Sequence, residues 1–245
     1  MRRCLTAILV VGLVSMNSRD AAAQSQKDVM AAAALGLTPV GALTPIMVSP
    51  GTKGEKGFQN VSGRFSHYSP KTGESDNVLG ASYYHAAGAN AAVSGTVGVY
   101  MPGCPAGATC KSVMMLGGDV HSTLWNSTQS AGSTTATSIN LQGSLGYGHE
   151  SDFSYLSLAV GVPLAVSFEQ ASKARIVAFV RPAFGFGSVS SSLITGDKSG
   201  TRPMIGAGAA WISPSGWGIH ASYNKIVIQD GGNSLGAGFS WNLGK

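Results

Sequence analysis

Ten successive segments of the chain alternate apolar residues with small or polar residues, and this period of two is that of a β-strand. The last segment shows it most clearly, with one face carrying Leu235, Ala237, Phe239, Trp241 and Leu243 and the other carrying Ser234, Gly236, Gly238, Ser240 and Asn242. A soluble sandwich would place larger apolar residues on its inner face and many charges on its outer face. The small and polar set is instead typical of a narrow lumen.

The predicted strands are 58–68, 77–87, 91–101, 111–125, 135–149, 153–168, 174–187, 202–213, 216–228 and 233–244. Each is long enough to cross a bilayer as a tilted strand, which needs about 9–11 residues. An even number of strands places both ends of the barrel on the periplasmic side. The sequence therefore predicts an all-β, closed antiparallel transmembrane barrel of about ten strands, with eight or twelve as alternatives.

The composition supports a surface that faces lipid. Charged residues make up 11% of the chain, against about 25% in ordinary soluble domains. A soluble protein covers its surface with charge, whereas a lipid-facing surface requires none. The net charge of +5 is small and scattered, and therefore does not indicate a nucleic-acid partner.

The N-terminal residues indicate export. Arg2 and Arg3 precede an apolar stretch of about ten residues, and Ala21 and Ala23 form a small-x-small cleavage pattern. We expect a signal peptide over 1–23, removed before Gln24. Residues 24–57 begin with a helix-favouring run and continue into a proline-containing stretch. This segment is expected to lie in the periplasm or to plug the lumen, and residues 58–245 are expected to form the barrel.

The tryptophans are placed as an interfacial girdle would place them. Trp211 and Trp217 flank the turn Ser-Pro-Ser-Gly at 213–216, and Trp241 lies near the same predicted end of the barrel. Tryptophan and tyrosine favour the headgroup level because their rings combine an apolar body with a polar group. A chance placement of four tryptophans is the alternative.

Taken together, the signal peptide, the ten segments and the terminal strand resemble the small outer-membrane β-barrel proteins of bacteria, the class of the OmpA-barrel, OmpX and opacity-type proteins. The resemblance covers about residues 58–245 and implies an outer-membrane location, contact with outer-membrane lipid and insertion by the outer-membrane assembly machinery. In that class, the last strand usually ends in an aromatic residue. Here Phe239 and Trp241 have the right parity, but the chain continues through Leu243 to Lys245.

Two cysteines remain after the predicted cleavage. Cys104 and Cys110 are separated by five residues, and a close pair in an oxidising compartment predicts a disulfide. Metal binding is the alternative, but no histidine or aspartate is close enough in sequence to complete a site. No metal or cofactor is predicted.

Several charged or polar residues fall on predicted lumenal positions, namely Arg64, Asp119, Arg175, Arg181, His220 and Lys225. They could line a small pore and favour anions. Alternatively, they fill a narrow interior that conducts nothing, since barrels of about eight strands are filled by their own side chains. The size of the barrel favours filling.

A catalytic interpretation starts from His220-Ala221-Ser222, which looks like the His-x-Ser pair of outer-membrane lipid A deacylases. In those enzymes a carboxylate orients the histidine, and the serine attacks an ester. Here Tyr223 separates Ser222 from Asn224, the nearest downstream acid is Asp230, and the parity places the pair in the lumen.

A second partial match, His67-Tyr68-Ser69 with Glu74 downstream, ends at Pro70. Neither pair carries the full pattern, so we expect a non-catalytic barrel with a structural or surface-interaction role. A small passive pore is the first alternative, and a lipid A-modifying hydrolase using His220 and Ser222 is the second. The sequence indicates no ligand.

Overall fold

The computed structural model describes residues 59–69, 74–88, 90–103, 111–127, 134–150, 153–191, 198–227 and 231–243. The predicted signal peptide, the segment 24–57, Cys104, Cys110 and Asp230 lie outside these residues.

The described chain consists of β-strands joined in sequence order. Their bounds are β1 Gln59–Ser69, β2 Asp76–Ala86, β3 Ala91–Met101, β4 Val113–Asn126, β5 Thr135–Glu150, β6 Phe153–Gly161, β7 Leu164–Glu169, β8 Arg175–Ser191, β9 Lys198–Ile212, β10 Trp217–Ile226 and β11 Asn233–Asn242. Among the described residues, no helix is long and apolar enough to cross a membrane.

Strands β6 and β7 are two parts of one strand position. Both pair with β5 on one side and with β8 on the other. The interruption lies at Val162 and Pro163, and proline has no N–H to donate to a ladder. The neighbouring backbone bridges the gap, since Asn140 N–H donates to Pro163 O at 2.9 Å and Val162 N–H donates to Pro182 O at 2.9 Å. The predicted single strand over 153–168 is therefore interrupted, but the barrel has ten strand positions as predicted.

The ladder closes on itself. Neighbouring strand positions pair antiparallel, with β6 and β7 counted as one position, and β1 pairs with β11, as in Gly63 opposite Phe239. Closure leaves no sheet edge, and in a bilayer every backbone polar group must find its partner within the protein. The predicted closed antiparallel barrel is confirmed.

Large apolar side chains cover the outer surface of this barrel. They include Val61, Phe65, Leu79, Val97, Met114, Leu116, Val120, Leu145, Leu158, Val160, Phe184, Ile205, Ile219, Leu235 and Phe239, all exposed. A soluble protein rarely exposes a continuous apolar surface of this extent. In a membrane barrel, the same surface is the band that contacts lipid.

The barrel has two ends, which we call the terminal end, where β1 begins and β11 finishes, and the far end. At the terminal end, Trp217 lies opposite Trp241 in the ladder. The rings of Trp211 and Trp217 meet edge to face with centroids 4.9 Å apart, and Trp217 stacks on Phe239 at 6.2 Å. Trp211, Trp217 and Trp241 therefore lie close together at this end, where an interfacial girdle is expected.

The lumen holds apolar side chains towards both ends. The far-end cluster is the larger, and consists of Tyr68, Val78, Tyr100, Val113, Met115, Tyr155, Ala159, Ala183, Val189, Met204 and Ile226. Smaller clusters towards the terminal end contain Ala165, Val177 and Phe179, and Tyr84, Ala86 and Ala92. Polar side chains occupy the space between them.

Candidate functional site: the lumenal polar cluster

Polar side chains from several strands meet in the middle of the lumen and form one hydrogen-bonded network. Arg181 Nη1 donates to Gln142 Oε1 at 3.1 Å, and Arg181 Nη2 donates to Asn224 Oδ1 at 3.0 Å. Gln142 Nε2 then donates to Asp119 Oδ1 at 3.2 Å. The lumenal polar cluster therefore joins β4, β5, β8 and β10 across the interior.

Asp119 is the acidic centre of this cluster. Its Oδ2 accepts a hydrogen bond from Ser94 Oγ at 3.0 Å, and its charge acts on both Arg64 and Arg181. All three charged residues are buried. Buried charges are tolerated when they are paired and hydrogen-bonded, because desolvation otherwise costs several kcal/mol per ion. The cluster thus holds two guanidinium groups around one carboxylate.

Glycines in the wall make room for the two arginines. A Cβ at Gly161 would lie 3.2 Å from Arg181 Cγ, and a Cβ at Gly80 would lie 3.3 Å from Arg64 Nε. The absence of a side chain at these positions lets the long side chains lie along the wall. The chain contains 34 glycines, and the space that these two arginines need explains the presence of two of them.

Three other predicted lumenal residues have different outcomes. His220 is buried on the lumenal face, as is Ser222, and Arg175 is half-buried at the start of β8 near the terminal end. Lys225 is exposed on the outward face, so its prediction as a lumenal residue is wrong. The period of two that puts His220 and Ser222 inside puts residue 225 outside.

Asn224 and Gln142 belong to the cluster but were not predicted. Both have inward parity, so the strand period could have found them. Formal charge alone does not identify them, because the network depends equally on neutral amides, which can both donate and accept.

The two His-x-Ser pairs lie on opposite faces of the wall. His220 and Ser222 are buried in the lumen. His67 and Ser69 lie near the end of β1 with outward parity, and both are half-buried. Glu74 is exposed and lies two residues before the start of β2. Within the described ranges, no three His, Cys, Asp or Glu side chains are grouped so that they could hold a metal ion.

Among solved structures, the chain is similar in fold to outer-membrane barrels at low sequence identity. The outer membrane enzyme PagL is 12% identical, with a TM-score of 0.37 and coverage of 74% of this chain and 98% of that chain. The N-terminal β-barrel domain of Pseudomonas aeruginosa OprF is 10% identical, with a TM-score of 0.35 and coverage of 77% and 98%. The β domain of the Bordetella autotransporter BrkA is 12% identical, with a TM-score of 0.47 and coverage of 76% and 100%. No protein-family model and no curated protein matches the chain.

The geometry defines the class of the protein. The ladder is closed, and its outer surface is an apolar belt. Only helices and closed barrels satisfy their backbone inside a bilayer. The chain is a small transmembrane β-barrel of the bacterial outer membrane, surrounded by membrane lipid.

Proposed function

We propose that this protein is a non-conducting outer-membrane barrel with a structural or surface-interaction role. The observation that carries the proposal is the burial of the inward side chains. Arg181 and Asp119 are each 3% exposed in the middle of the lumen, and Tyr68 and Met115 are each 1% exposed towards the far end. A continuous water pathway would leave such side chains exposed along its length.

The far-end cluster closes the lumen most firmly. It brings Tyr68, Met115 and Tyr155 together with apolar neighbours from several strands. Every member of this layer is at most 9% exposed, so the described side chains leave no open water pathway between them. The passive-pore alternative requires this layer to open.

Conductance in planar bilayers tests the proposal. Purified full-length protein is expected to give no discrete channel events in 1 M KCl. Repeated events of uniform size from folded wild-type protein would contradict it.

A matched pair of variants guards against a false negative. The triple variant Tyr68→Ala/Met115→Ala/Tyr155→Ala removes the far-end layer and is expected to conduct, or at least to raise the frequency of openings. The control Leu79→Ala/Val97→Ala/Leu145→Ala shortens three outward side chains and is expected to stay silent. If both triple variants behave alike, the far-end cluster does not close the lumen.

The processing of the chain remains part of the proposal. We expect the mature protein to begin at Gln24, to be inserted by the outer-membrane assembly machinery, and to carry a disulfide between Cys104 and Cys110. Intact mass with and without reduction and thiol capping tests the first and last points. A mass that includes residues 1–23, or two free thiols in protein from the outer membrane, would contradict them.

A further inference from the structure

A group of polar residues interrupts the apolar belt at the far end of the barrel. These residues are Asn77 on β2, His67 and Ser69 on β1, Asn233 on β11 and Lys225 on β10, and we call them the rim patch. All five have outward parity, and none is buried. The residues one step nearer the bilayer centre are apolar and exposed: Phe65, Leu79, Leu235 and Tyr223. The rim patch therefore lies where the apolar belt gives way to polar surface.

His67 has a fixed tautomer in this patch. Its Nδ1 lies 2.9 Å from Asn77 Oδ1, and the two residues face each other in the β1–β2 ladder. An amide oxygen can only accept a hydrogen bond. The proton of the neutral imidazole is consequently on Nδ1, and Nε2 carries the lone pair that a general base requires.

Ser69 and Asn233 complete a nucleophile arrangement. Ser69 follows His67 by two positions on the same face of β1, about 7 Å along the strand, within reach of the imidazole after side-chain rotation. Asn233 is the cross-strand partner of Ser69, and Lys225 is the partner of Asn233. Directly opposite residues have Cβ atoms about 5 Å apart. The Asn233 amide is therefore one strand away from Ser69, and the Lys225 ammonium group is two strands away.

We infer that the rim patch is a hydrolytic site for carboxylic esters of membrane lipids. Ser69 Oγ attacks the ester carbonyl carbon while its proton passes to His67 Nε2, and the Asn77 amide oxygen holds the imidazolium. The Asn233 side-chain N–H donates to the oxyanion. The C–O bond to the alcohol breaks, and that oxygen takes the proton from His67. Water then attacks the acyl-Ser69 ester with His67 again as base, which releases the fatty acid and restores the serine.

The location selects a lipid as the substrate. Lipid esters lie between the hydrocarbon and the headgroups, which is the depth at which the rim patch follows the apolar belt. Lys225 adds a positive charge on a long, flexible side chain, suited to a headgroup phosphate. His220 and Ser222 have the same spacing, but both are buried in the lumen and cannot reach a lipid.

Two measurements on the full chain test the inference. Protein folded in vesicles of phosphatidylethanolamine and phosphatidylglycerol is expected to release fatty acid, measured by mass spectrometry. It is also expected to react with a fluorophosphonate probe at Ser69, located by peptide mapping. Ser69→Ala and His67→Gln should reduce fatty-acid release to background. Ser222→Ala, the matched control, should leave it unchanged.

Each outcome decides the question. If folded wild-type protein gives no fatty-acid release and no probe labelling, the inference is overturned. Equal loss of release in Ser69→Ala and Ser222→Ala would also overturn it. Probe labelling at Ser69 without release from these vesicles would retain the nucleophile and overturn the choice of a membrane-lipid ester as its substrate.

Asn77 is a positioning residue, and its role has a separate signature. Asn77→Leu removes the acceptor and should lower kcat by up to about 10⁴-fold with little change in KM. Asn77→Asp restores an acceptor and should recover most of the lost kcat. A purely structural role for Asn77 would leave the kcat of Asn77→Asp as low as that of Asn77→Leu.

Discussion

Met114 and Met115 are neighbours on β4, yet one is 63% exposed and the other 1% exposed. Met114 points to the bilayer, and Met115 packs in the far-end cluster. The same side chain therefore has two different roles, set by its parity on the strand. An outward position requires an apolar residue of almost any shape, whereas an inward position is fitted to particular neighbours.

The two faces also differ in how they handle polarity. On the outer face, the exposed side chains in the middle of the apolar belt are uncharged, and the charged residue Lys225 lies at the far end. Inside, Arg64 and Arg181 are buried near Asp119, whose single negative charge acts on both guanidinium groups. A charged side chain in the lumen is therefore stabilised by its protein neighbours, whereas a side chain on the outer face must suit the surrounding lipid.

The largest effect is expected from removing the carboxylate of the lumenal polar cluster. Asp119→Ala leaves two buried guanidinium groups without a counter-charge and should lower the free energy of unfolding by about 3–5 kcal/mol. Ser94→Ala removes only one donor to the same carboxylate and should cost about 1–3 kcal/mol. Urea unfolding in lipid vesicles measures both variants. Equal losses of unfolding free energy would show that the Asp119 charge matters no more than a single hydrogen bond to it.

The two methionines provide the next test. Met115→Ala creates a cavity in the far-end cluster and should cost about 2–5 kcal/mol. Met114→Ala only exchanges one lipid-facing apolar side chain for a smaller one, so its cost should be below about 1 kcal/mol. The difference between the midpoints of urea unfolding gives the comparison directly, and a larger loss for Met114→Ala would reverse the assigned faces.

A charge placed on the outer face should be costly for a different reason. Val160→Arg and Phe239→Arg each put a guanidinium into hydrocarbon and should cost about 2–4 kcal/mol near the midplane. The penalty comes from the lipid, so it should fall when the same variants are unfolded from a detergent that lets water reach the side chain. An unchanged penalty in both media would show that these positions do not face lipid.

Two glycines are expected to give the smallest contrast. Gly238→Ala brings a Cβ against the His220 ring on the lumenal face, whereas a Cβ at Gly63 on the outer face meets nothing within 4 Å. Overpacking should cost about 1–3 kcal/mol at Gly238, while Gly63→Ala should be neutral within about 1 kcal/mol. Similar unfolding curves for the two variants would contradict the fit of the lumenal side chains.

The period of two was sufficient to predict the fold from sequence. In the last segment, residues from Leu235 to Leu243 alternate so regularly that their faces follow directly, and the structure confirms both the faces and the closure with β1. The interruption at Pro163 was not predicted, because the side-chain alternation continues on both sides of it. A missing N–H affects the ladder and leaves the pattern of side chains intact.

The candidate sites depend on information that a single strand does not contain. Arg181, Gln142 and Asn224 meet only because their strands are wrapped into one barrel, and Asn77 faces His67 only through the register of β1 and β2. Composition and spacing identify such residues one at a time. The pairing of strands decides which of them act together.

Thiol reactivity of neighbouring residues tests the central claim, a lipid-facing wall around a filled lumen, most directly. In a Cys104→Ser/Cys110→Ser background, Ser157→Cys and Leu158→Cys place single thiols inward and outward on β6, where Ser157 is 0% and Leu158 44% exposed. In vesicles, Leu158→Cys should react with a lipid-soluble maleimide but not with a charged, water-soluble thiol reagent. Ser157→Cys should react with neither until the protein is unfolded. Rapid reaction of Ser157→Cys with the charged reagent in the folded protein would reveal a water-filled lumen and contradict the account.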